Sequence, residues 1–402
     1  MEQNTPRYTR QTLASQSKSQ ARSNVTPKST LPTSVSTTSA PRTEVPKTAT
    51  VRDADFKYTQ LIPRGVEICE YENPNLDGAY GHFGSKRPSN PAESREFYRS
   101  VVQKALAGRA DRDIDDSIFL PMDTNFVKSV LTAYGRMGKA GVSEAWFKGY
   151  ACQKLFVGPY AVLEDDTERQ LCAVLCPEVS LKPSSSTSRC IWHAPPIISN
   201  QPPSKPFSFD TRADCQFWLS DKIINPEYRT HAKHFVHLKD LGTFCPYFSI
   251  EFKATTGDRQ VADNQIAVDG LVSLFNRYRL KVLAFPHSTQ KQFKLVRHYG
   301  LTMEKDHWTV WLFQPKTAKK ATWAGCTVRI LHTGSCETEE EVVTLLEWIN
   351  EIHRWGLCEY ALGCEEDVKE ILSKNSGNLR ISAMGVSKET ETVKETGTVE
   401  EV

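Results

Sequence analysis

The sequence predicts an α/β fold in which a mixed central sheet is flanked by helices. Segments with apolar residues at helical spacing alternate with short apolar segments that are typical of strands. Their order is helix, strand, long loop, strand, strand, helix and strand, which differs from a run of regular βαβ units. The 402 residues, of which 39% are hydrophobic, are enough for a sizeable buried core.

Five segments have the apolar spacing of amphipathic helices. Ser143 can cap the third of them, and Thr338 followed three residues later by Glu341 forms a capping-box pattern at the start of the fifth. The predicted helices are 95–106, 122–134, 143–156, 263–278 and 338–355.

Six short apolar segments predict strands. The first two are separated by a loop rich in proline and serine, residues 183–206, which is long enough to be an insertion. The last three follow helix 263–278. The first of them predicts a further strand of the core, and the other two predict a short antiparallel extension of the sheet. The predicted strands are 171–176, 215–219, 247–252, 282–285, 292–299 and 308–313.

The composition changes at both ends of the chain. Residues 1–55 are a predicted disordered arm, rich in Ser, Thr and Pro and basic in charge, and residues 376–402 are a predicted disordered acidic tail. Between them we expect a helical N-terminal subdomain at 56–140 and the main α/β domain at 141–375. Because the formal net charge is only +2, a surface that binds nucleic acid must be a local patch.

The cysteine pattern favours reduced thiols in an intracellular protein. The eleven cysteines are scattered and contain no Cys-x-x-Cys pair, so a structural zinc site has little support. No signal-peptide pattern begins the chain, and no apolar run approaches the roughly 20 residues that span a bilayer. We therefore expect no membrane partner and a nuclear or cytoplasmic location.

Two acids and a lysine lie where predicted strands begin or end. Asp214 precedes strand 215–219, and Glu251 and Lys253 lie at the end of strand 247–252. Because side chains alternate along a strand, Glu251 and Lys253 share a face while the residue between them points into the core. The alternative is an exposed ion pair, because Glu-x-Lys is common in strands.

These residue types suit the hydrolysis of a phosphodiester, which requires charge stabilisation and an activated water. Asp214 and Glu251, with the main-chain carbonyl of Phe252, would supply the hard oxygen ligands that Mg²⁺ or Mn²⁺ prefers. Lys253 would orient the attacking water or stabilise charge on the phosphate. Glu144 would hold a metal-bound water or a second metal.

Four segments carry a resemblance to a known family: Ser143-Glu-Ala-Trp, Ala213-Asp-Cys-Gln-Phe-Trp-Leu-Ser220, Pro246-Tyr-Phe-Ser-Ile-Glu-Phe-Lys253 and Ala262-Asp-Asn-Gln-Ile-Ala-Val-Asp-Gly270. On these segments, and on the later segments 283–288, 298–300 and 308–313, residues 143–313 resemble a family of uncharacterised fungal proteins with a PD-(D/E)XK nuclease-like domain. The resemblance implies a restriction-endonuclease-like core. It places the motif carboxylates at Glu144, Asp214 and Glu251, and the motif lysine at Lys253.

The sequence departs from the family pattern at one position, and it leaves alternatives open. Ala213 stands where the motif usually has a proline before its aspartate, and Asp210 and Asp240 are nearby alternatives to Asp214. In this superfamily a glutamine on the following helix can face the active site, which makes Gln265 a further candidate. Gln265 and Asp269 are one turn apart, so a helix cap with a solvent-facing pair is the alternative.

A basic and aromatic cluster lies at the end of helix 263–278. Arg277, Arg279 and Lys281 flank Tyr278 and could contact a phosphate backbone. A solvated helix end is an equally good interpretation.

The sequence as a whole favours a Mg²⁺-dependent (or Mn²⁺-dependent) nuclease that hydrolyses DNA, with RNA as the alternative substrate. The intact set of acids and the lysine supports an enzyme. The alternative function is a catalytically inactive PD-(D/E)XK-like module that binds nucleic acid or a protein partner. The modest net charge and the lack of an obvious basic stripe favour that alternative.

Overall fold

The β-forming segments of the chain assemble into a seven-stranded mixed sheet and a small two-stranded one. The computed structural model describes residues 48–69, 78–107, 117–158, 172–183, 192–201, 203–232, 242–253, 259–287, 290–317 and 322–386, which all belong to one unit, Pro46–Val402. The strands are β1 (Val66–Cys69), β2 (Ala173–Pro177), β3 (Ser180–Leu181), β4 (Thr211–Arg212), β5 (Cys215–Ser220), β6 (Thr243–Lys253), β7 (His298–Glu304), β8 (His307–Thr317) and β9 (Trp323–Ser335).

Helices flank the sheet, and the last two of them follow the final strand. Several begin with a polar cap, as at Thr338, whose side chain accepts a hydrogen bond from the N–H of Glu341 at 3.2 Å. The helices are α1 (Gly78–Phe83), α2 (Ser94–Ala105), α3 (Thr124–Ala140), α4 (Glu144–Lys154), α5 (Pro226–Ala232), α6 (Arg259–Ala284), α7 (Glu339–Trp355) and α8 (Ala361–Val386).

The strand order in the large sheet is β1-β9-β8-β7-β6-β5-β2. The pairs β6–β7 and β1–β9 are parallel, and the other neighbouring pairs are antiparallel. Helix α6 joins β6 to β7, because parallel neighbours need a crossover connection. The predicted mixed sheet flanked by helices is therefore confirmed.

Two apolar cores cover the two faces of the sheet. On one face α3, α4 and α7 enclose side chains such as Phe252 and Trp348. On the other face α6 packs on β6, β7 and β8, and Ile266 and Phe313 belong to that core. Because Ile250 and Phe252 face the first core, Glu251 between them faces α6.

The predicted helices are confirmed, to within two residues for α2, α4 and α7, whereas α3 ends six residues later than predicted and α6 is longer at both ends. The predicted strand 282–285 is wrong, because these residues continue or immediately follow α6, and the N–H of Phe285 donates to the carbonyl of Lys281 at 2.9 Å. A short apolar run has no periodicity that separates a strand from a buried helical turn.

The predicted strand 292–299 is also wrong over most of its length. Residues Gln290–Leu295 form a 3₁₀ helix, and β7 begins at His298. Strand β9 was not predicted, because its exposed face carries polar side chains that weaken the apolar signal.

Most of the predicted tails and part of the predicted loop lie outside the described residues, at 1–47, 184–191, 202 and 387–402. Within the predicted arm, the N–H of Ala49 donates to the carbonyl of Pro206 at 2.9 Å, and Ala49 is buried. Residues 376–386 of the predicted acidic tail belong to α8.

Candidate active site

The antiparallel register of β5 and β6 places Asp214 beside Glu251. Cys215 pairs with Ile250, so Asp214, just before β5, lies level with Glu251. The N–H of Asp214 donates to Glu251 Oε1 at 3.3 Å, and Asp214 Oδ2 accepts from the N–H of Phe252 at 2.8 Å. The two acids that sequence analysis selected are therefore brought together by main-chain pairing.

Lys253 completes this group at the last residue of β6. Its ammonium is 3.5 Å from Glu251 Oε2 and also donates to the main-chain carbonyl of Phe252. The side chain of Glu251 is almost entirely buried, and that of Lys253 is 11% exposed. The simple surface ion pair considered for the Glu-x-Lys pattern is therefore wrong.

Asp269 of α6 is a third acid in the group, and it is only 1% exposed. Its carboxyl shares a hydrogen bond with that of Glu251, and its Oδ1 has no hydrogen-bond partner. The interpretation of Gln265 and Asp269 as a solvent-facing pair is therefore wrong for Asp269. The available signal was an acid within the apolar run 266–275, since a buried acid is costly unless something pairs with it.

Burial and mutual repulsion change the protonation of these acids. Burial, together with the charge of Asp214, raises the pKa of Glu251 from 4.5 to about 7. Burial, together with the charge of Glu251, raises the pKa of Asp269 well above its ordinary range. Near neutral pH, Glu251 and Asp269 therefore hold at least one proton between them.

Gln265 lies one helical turn before Asp269 on α6. It does not open the helix, which begins at Arg259, so the helix-cap interpretation is wrong. The side chain is partly buried, and its Oε1 is buried without a hydrogen-bond partner. This oxygen is a free acceptor on the helix that carries Asp269, and a role for Gln265 in the site stays a prediction.

Lys148 of α4 contacts Asp214 and was not selected from the sequence. Its ammonium lies 2.8 Å from Asp214 Oδ1 and 2.9 Å from Glu178 Oε1. Burial lowers the pKa of Lys148, but the hydrogen bonds to the two acids outweigh burial and raise it overall. The two acids therefore keep Lys148 protonated.

Glu144 is the first residue of α4, one helical turn before Lys148. Its side chain is partly buried, and it is Lys148 that bridges from this helix to Asp214. The hydrogen bonds and ion pairs that assemble the group connect Asp214, Glu251, Lys253 and Lys148, and the metal role of Glu144 stays a prediction.

Of the two alternatives to Asp214, Asp210 does not replace it. Asp210 accepts a hydrogen bond from the hydroxyl of Ser180 at 2.9 Å and lies 3.7 Å from the ammonium of Lys182. Its side chain is 38% exposed, and these contacts attach it to the two-stranded sheet. Asp240 lies outside the described residues.

The oxygens of this group have the chemistry that a hard cation requires. The carboxylates of Asp214 and Glu251 and the carbonyl of Phe252 are hard ligands, and Asp269 Oδ1 is an unpartnered buried oxygen beside them. Within the described ranges, no set of three or more His, Cys, Asp or Glu side chains is arranged to hold a metal. Lys148 and Lys253 carry positive charge where a cation would bind, so both ammonium groups would have to move.

Three exposed cations lie close in the chain to the ends of these strands. Arg212 lies two residues before Asp214, Lys305 follows β7, and Arg259 begins α6. The N–H of Lys305 donates to the carbonyl of Lys253 at 3.1 Å, which fixes that turn beside the acids. These three exposed cations, called the basic rim below, are interspersed with acids such as Glu178 and Asp306, so this surface carries both signs of charge.

Of the basic and aromatic cluster at the end of helix 263–278, Arg277, Tyr278 and Lys281 are buried and only Arg279 is partly exposed. Arg277 is buried, with its guanidinium 2.6 Å from Asp367 Oδ2, and the ammonium of Lys281 is 2.8 Å from Asp367 Oδ1. Both earlier interpretations of Arg277 and Lys281, phosphate contact and a solvated helix end, are therefore wrong. The ion pairs join α6 to α8.

None of the helices in the described part of the chain is long and apolar enough to cross a membrane. Comparison with protein-family models, with curated proteins and with solved structures gives no match.

Proposed function

We propose that this protein is a metal-dependent nuclease that hydrolyses phosphodiester bonds of DNA or RNA, with a Mg²⁺ or Mn²⁺ ion held by Asp214 and Glu251. The observation that carries the proposal is the pairing of these two acids across β5 and β6, with Lys253 at the end of the same strand as Glu251. Acids and a lysine gathered at the ends of adjacent strands are what the resemblance to the PD-(D/E)XK family implies.

The order of elements around the acids supports a restriction-endonuclease-like core. Helix α4 precedes the antiparallel strands β2, β5 and β6, and α6 then leads to β7, which is parallel to β6. This is the order helix, strand, strand, strand, helix, strand that the sequence indicated, with β7 in place of the strand predicted at 282–285. The acids lie on the α6 side of this sheet, where a helix and two strand ends meet.

The roles of the residues follow from their chemistry. Asp214, Glu251 and the carbonyl of Phe252 would hold the cation, which supplies a Lewis acid and lowers the pKa of a water bound to it. Lys253 would place its ammonium against the phosphate or the attacking water. Asp269 would hold a proton against Glu251 when no cation is bound, which limits the cost of burying both acids.

The basic rim supports a polyanionic substrate. Arg212, Arg259 and Lys305 are exposed around the acids and would contact phosphates on either side of the bond that is cut. Contacts of this kind do not read base sequence, so they are compatible with either DNA or RNA.

A second candidate function is a catalytically inactive module that binds nucleic acid. One observation favours it: the ammonium of Lys148 lies 2.8 Å from Asp214 Oδ1 and occupies a position that a cation would need. If this ion pair does not open, the basic rim still binds phosphates but no hydrolysis follows.

Cleavage assays distinguish the two functions. Plasmid DNA and single-stranded DNA and RNA oligonucleotides are incubated with the full chain in Mg²⁺, in Mn²⁺ or in a chelator. We expect metal-dependent cleavage that is lost in Asp214→Asn and Lys253→Ala and kept in Asp210→Asn, the matched acid outside the group. Binding without cleavage by the parent would support the inactive module, and cleavage that survives both variants would place the active site elsewhere.

A further inference from the structure

Two cysteines lie in contact beside the acid group. Cys152 of α4 and Cys215, the first residue of β5, have their Sγ atoms 3.4 Å apart with a hydrogen bond between the thiols. Cys215 directly follows Asp214 in the chain, and Cys152 is one helical turn after Lys148. The thiol pair therefore joins the same two elements that the Lys148–Asp214 ion pair joins.

This pair differs in its access to solvent from a second close pair of thiols in the described residues, Cys245 and Cys364. Cys152 is partly exposed, whereas Cys215 is fully buried behind it. Cys245 and Cys364 also share a hydrogen bond, but both are buried. A dissolved oxidant can thus reach the first pair at Cys152, and a disulfide would require the sulfurs to approach by only about 1.4 Å.

We infer that Cys152 and Cys215 are a redox modification site, at which a reversible disulfide fastens α4 to β5 beside Asp214. The co-reactant is a small-molecule disulfide such as oxidised glutathione. The sulfur of Cys152 attacks it, forms a mixed disulfide and releases one small thiol. The sulfur of Cys215 then attacks the sulfur of Cys152 and releases the second small thiol.

The two steps balance. The protein loses two thiol hydrogens and two electrons, the small disulfide gains them, and one sulfur–sulfur bond is exchanged for another. A dithiol reductant reverses both steps, which returns the two cysteines to thiols.

The bond would also regulate the site, and this part of the inference rests on the proposed function. With α4 fastened to β5, Lys148 stays on Asp214 Oδ1, and the ammonium blocks a ligand position of the cation. We therefore expect the oxidised protein to cleave nucleic acid about tenfold more slowly, a size typical of coupling between sites.

The test compares the full chain after treatment with oxidised glutathione and after reduction with dithiothreitol. Intact mass and peptide mapping under non-reducing conditions measure the bond directly, without any need for nuclease activity. We expect a Cys152–Cys215 cross-linked peptide in the parent, its disappearance on reduction, and its absence in Cys152→Ser. Cys358→Ser, which removes another partly exposed cysteine, is the matched control and should still form the bond.

The outcomes separate the inference from the proposed function. A glutathione adduct on Cys152 that persists without cross-linking, or a cross-link between other cysteines, would overturn the modification site. A mapped Cys152–Cys215 bond with equal cleavage by both forms would overturn its regulatory role. If the reduced parent cuts no substrate, the proposed function fails while the mapped bond still decides the modification site.

Discussion

Asp214 and Glu251 are linked through the main chain as well as through their charges. The N–H of Asp214 donates to the carboxylate of Glu251 at 3.3 Å, and Asp214 in turn accepts from the N–H of Phe252 at 2.8 Å. Strand pairing therefore places both carboxylates at the same end of the two strands. Variants of these side chains should change charge and ligand chemistry and leave the sheet intact.

Asp214→Asn should weaken the binding of Mn²⁺ at least about tenfold, equal to 1.4 kcal/mol. Asparagine keeps the size of the side chain and an oxygen that accepts from the N–H of Phe252, but it removes the negative charge that binds a hard cation. Titration calorimetry measures the affinity. Asp210→Asn, an exposed acid of the same segment, should bind Mn²⁺ like the parent, and equal affinity in both variants would argue against Asp214 as a ligand.

The raised pKa of Glu251 predicts how stability depends on pH in a buffer that contains a chelator. Because burial and the charge of Asp214 raise this pKa from 4.5 to about 7, the folded protein holds the proton more tightly than the unfolded chain does. The stabilisation that protonated Glu251 adds to the free energy of unfolding is fully present below about pH 4.5 and is lost as the pH rises through about 7.

Denaturant unfolding at pH 5 and pH 8 measures this contribution. From pH 5 to pH 8 the free energy of unfolding of the parent should fall by about 3 kcal/mol more than that of Glu251→Gln. Glu178→Gln, which removes an acid whose pKa Lys148 lowers, should keep the pH dependence of the parent. The same dependence in Glu251→Gln and the parent would show that this acid does not titrate in the window.

Lys148→Gln should bind Mn²⁺ more tightly than the parent. The variant removes the ammonium that lies 2.8 Å from Asp214 Oδ1, so the cation no longer competes with an ion pair. The gain should be about two- to fivefold, because partly exposed ion pairs contribute up to ~1 kcal/mol. Calorimetry measures it, and Glu178→Gln, which removes only the other partner of Lys148, should not raise the affinity. A loss of affinity in Lys148→Gln would show that the lysine assists the cation.

Gly270→Ala tests the packing of α6 on the sheet. A Cβ at this position would lie 2.5 Å from the ring of Phe313, so the helix or the ring must shift, at a cost of about 1–3 kcal/mol. Gly149→Ala in α4 is the matched control, since its Cβ meets no atom within 4 Å and should stabilise the helix by up to ~1 kcal/mol. Denaturant unfolding measures both changes, and a stabilised Gly270→Ala would contradict the observed packing.

The main strands and helices could be predicted because their signals are local. Apolar alternation at the end of β6 and helical spacing in α6 put Glu251, Lys253 and Asp269 on specific elements. The errors at 282–285 and 292–299 have the same origin, because short apolar runs fit a strand, a 3₁₀ helix or the last turn of a long helix.

The contacts that complete the site could not be predicted, because they depend on how the elements pack. Lys148 reaches Asp214 across 66 residues of chain, and nothing in the sequence near either residue specifies that pair. The apolar run around Asp269 indicates a buried acid, but its partner Glu251 lies on another element, and every residue of 266–278 is buried only because α6 is covered on all sides. Arg277 lies on the predicted helix, but nothing near it in the sequence indicates its buried partner Asp367, which is 90 residues away.

The position of a bound cation tests the central claim most directly. Crystals of the full chain soaked in Mn²⁺ and measured near the manganese absorption edge give an anomalous difference map that locates the ion without reference to activity. The account predicts a peak about 2.2 Å from carboxylate oxygens of both Asp214 and Glu251, with the ammonium of Lys148 displaced from Asp214. A fully occupied manganese peak elsewhere, or an acid group that stays empty at saturating Mn²⁺, would contradict it.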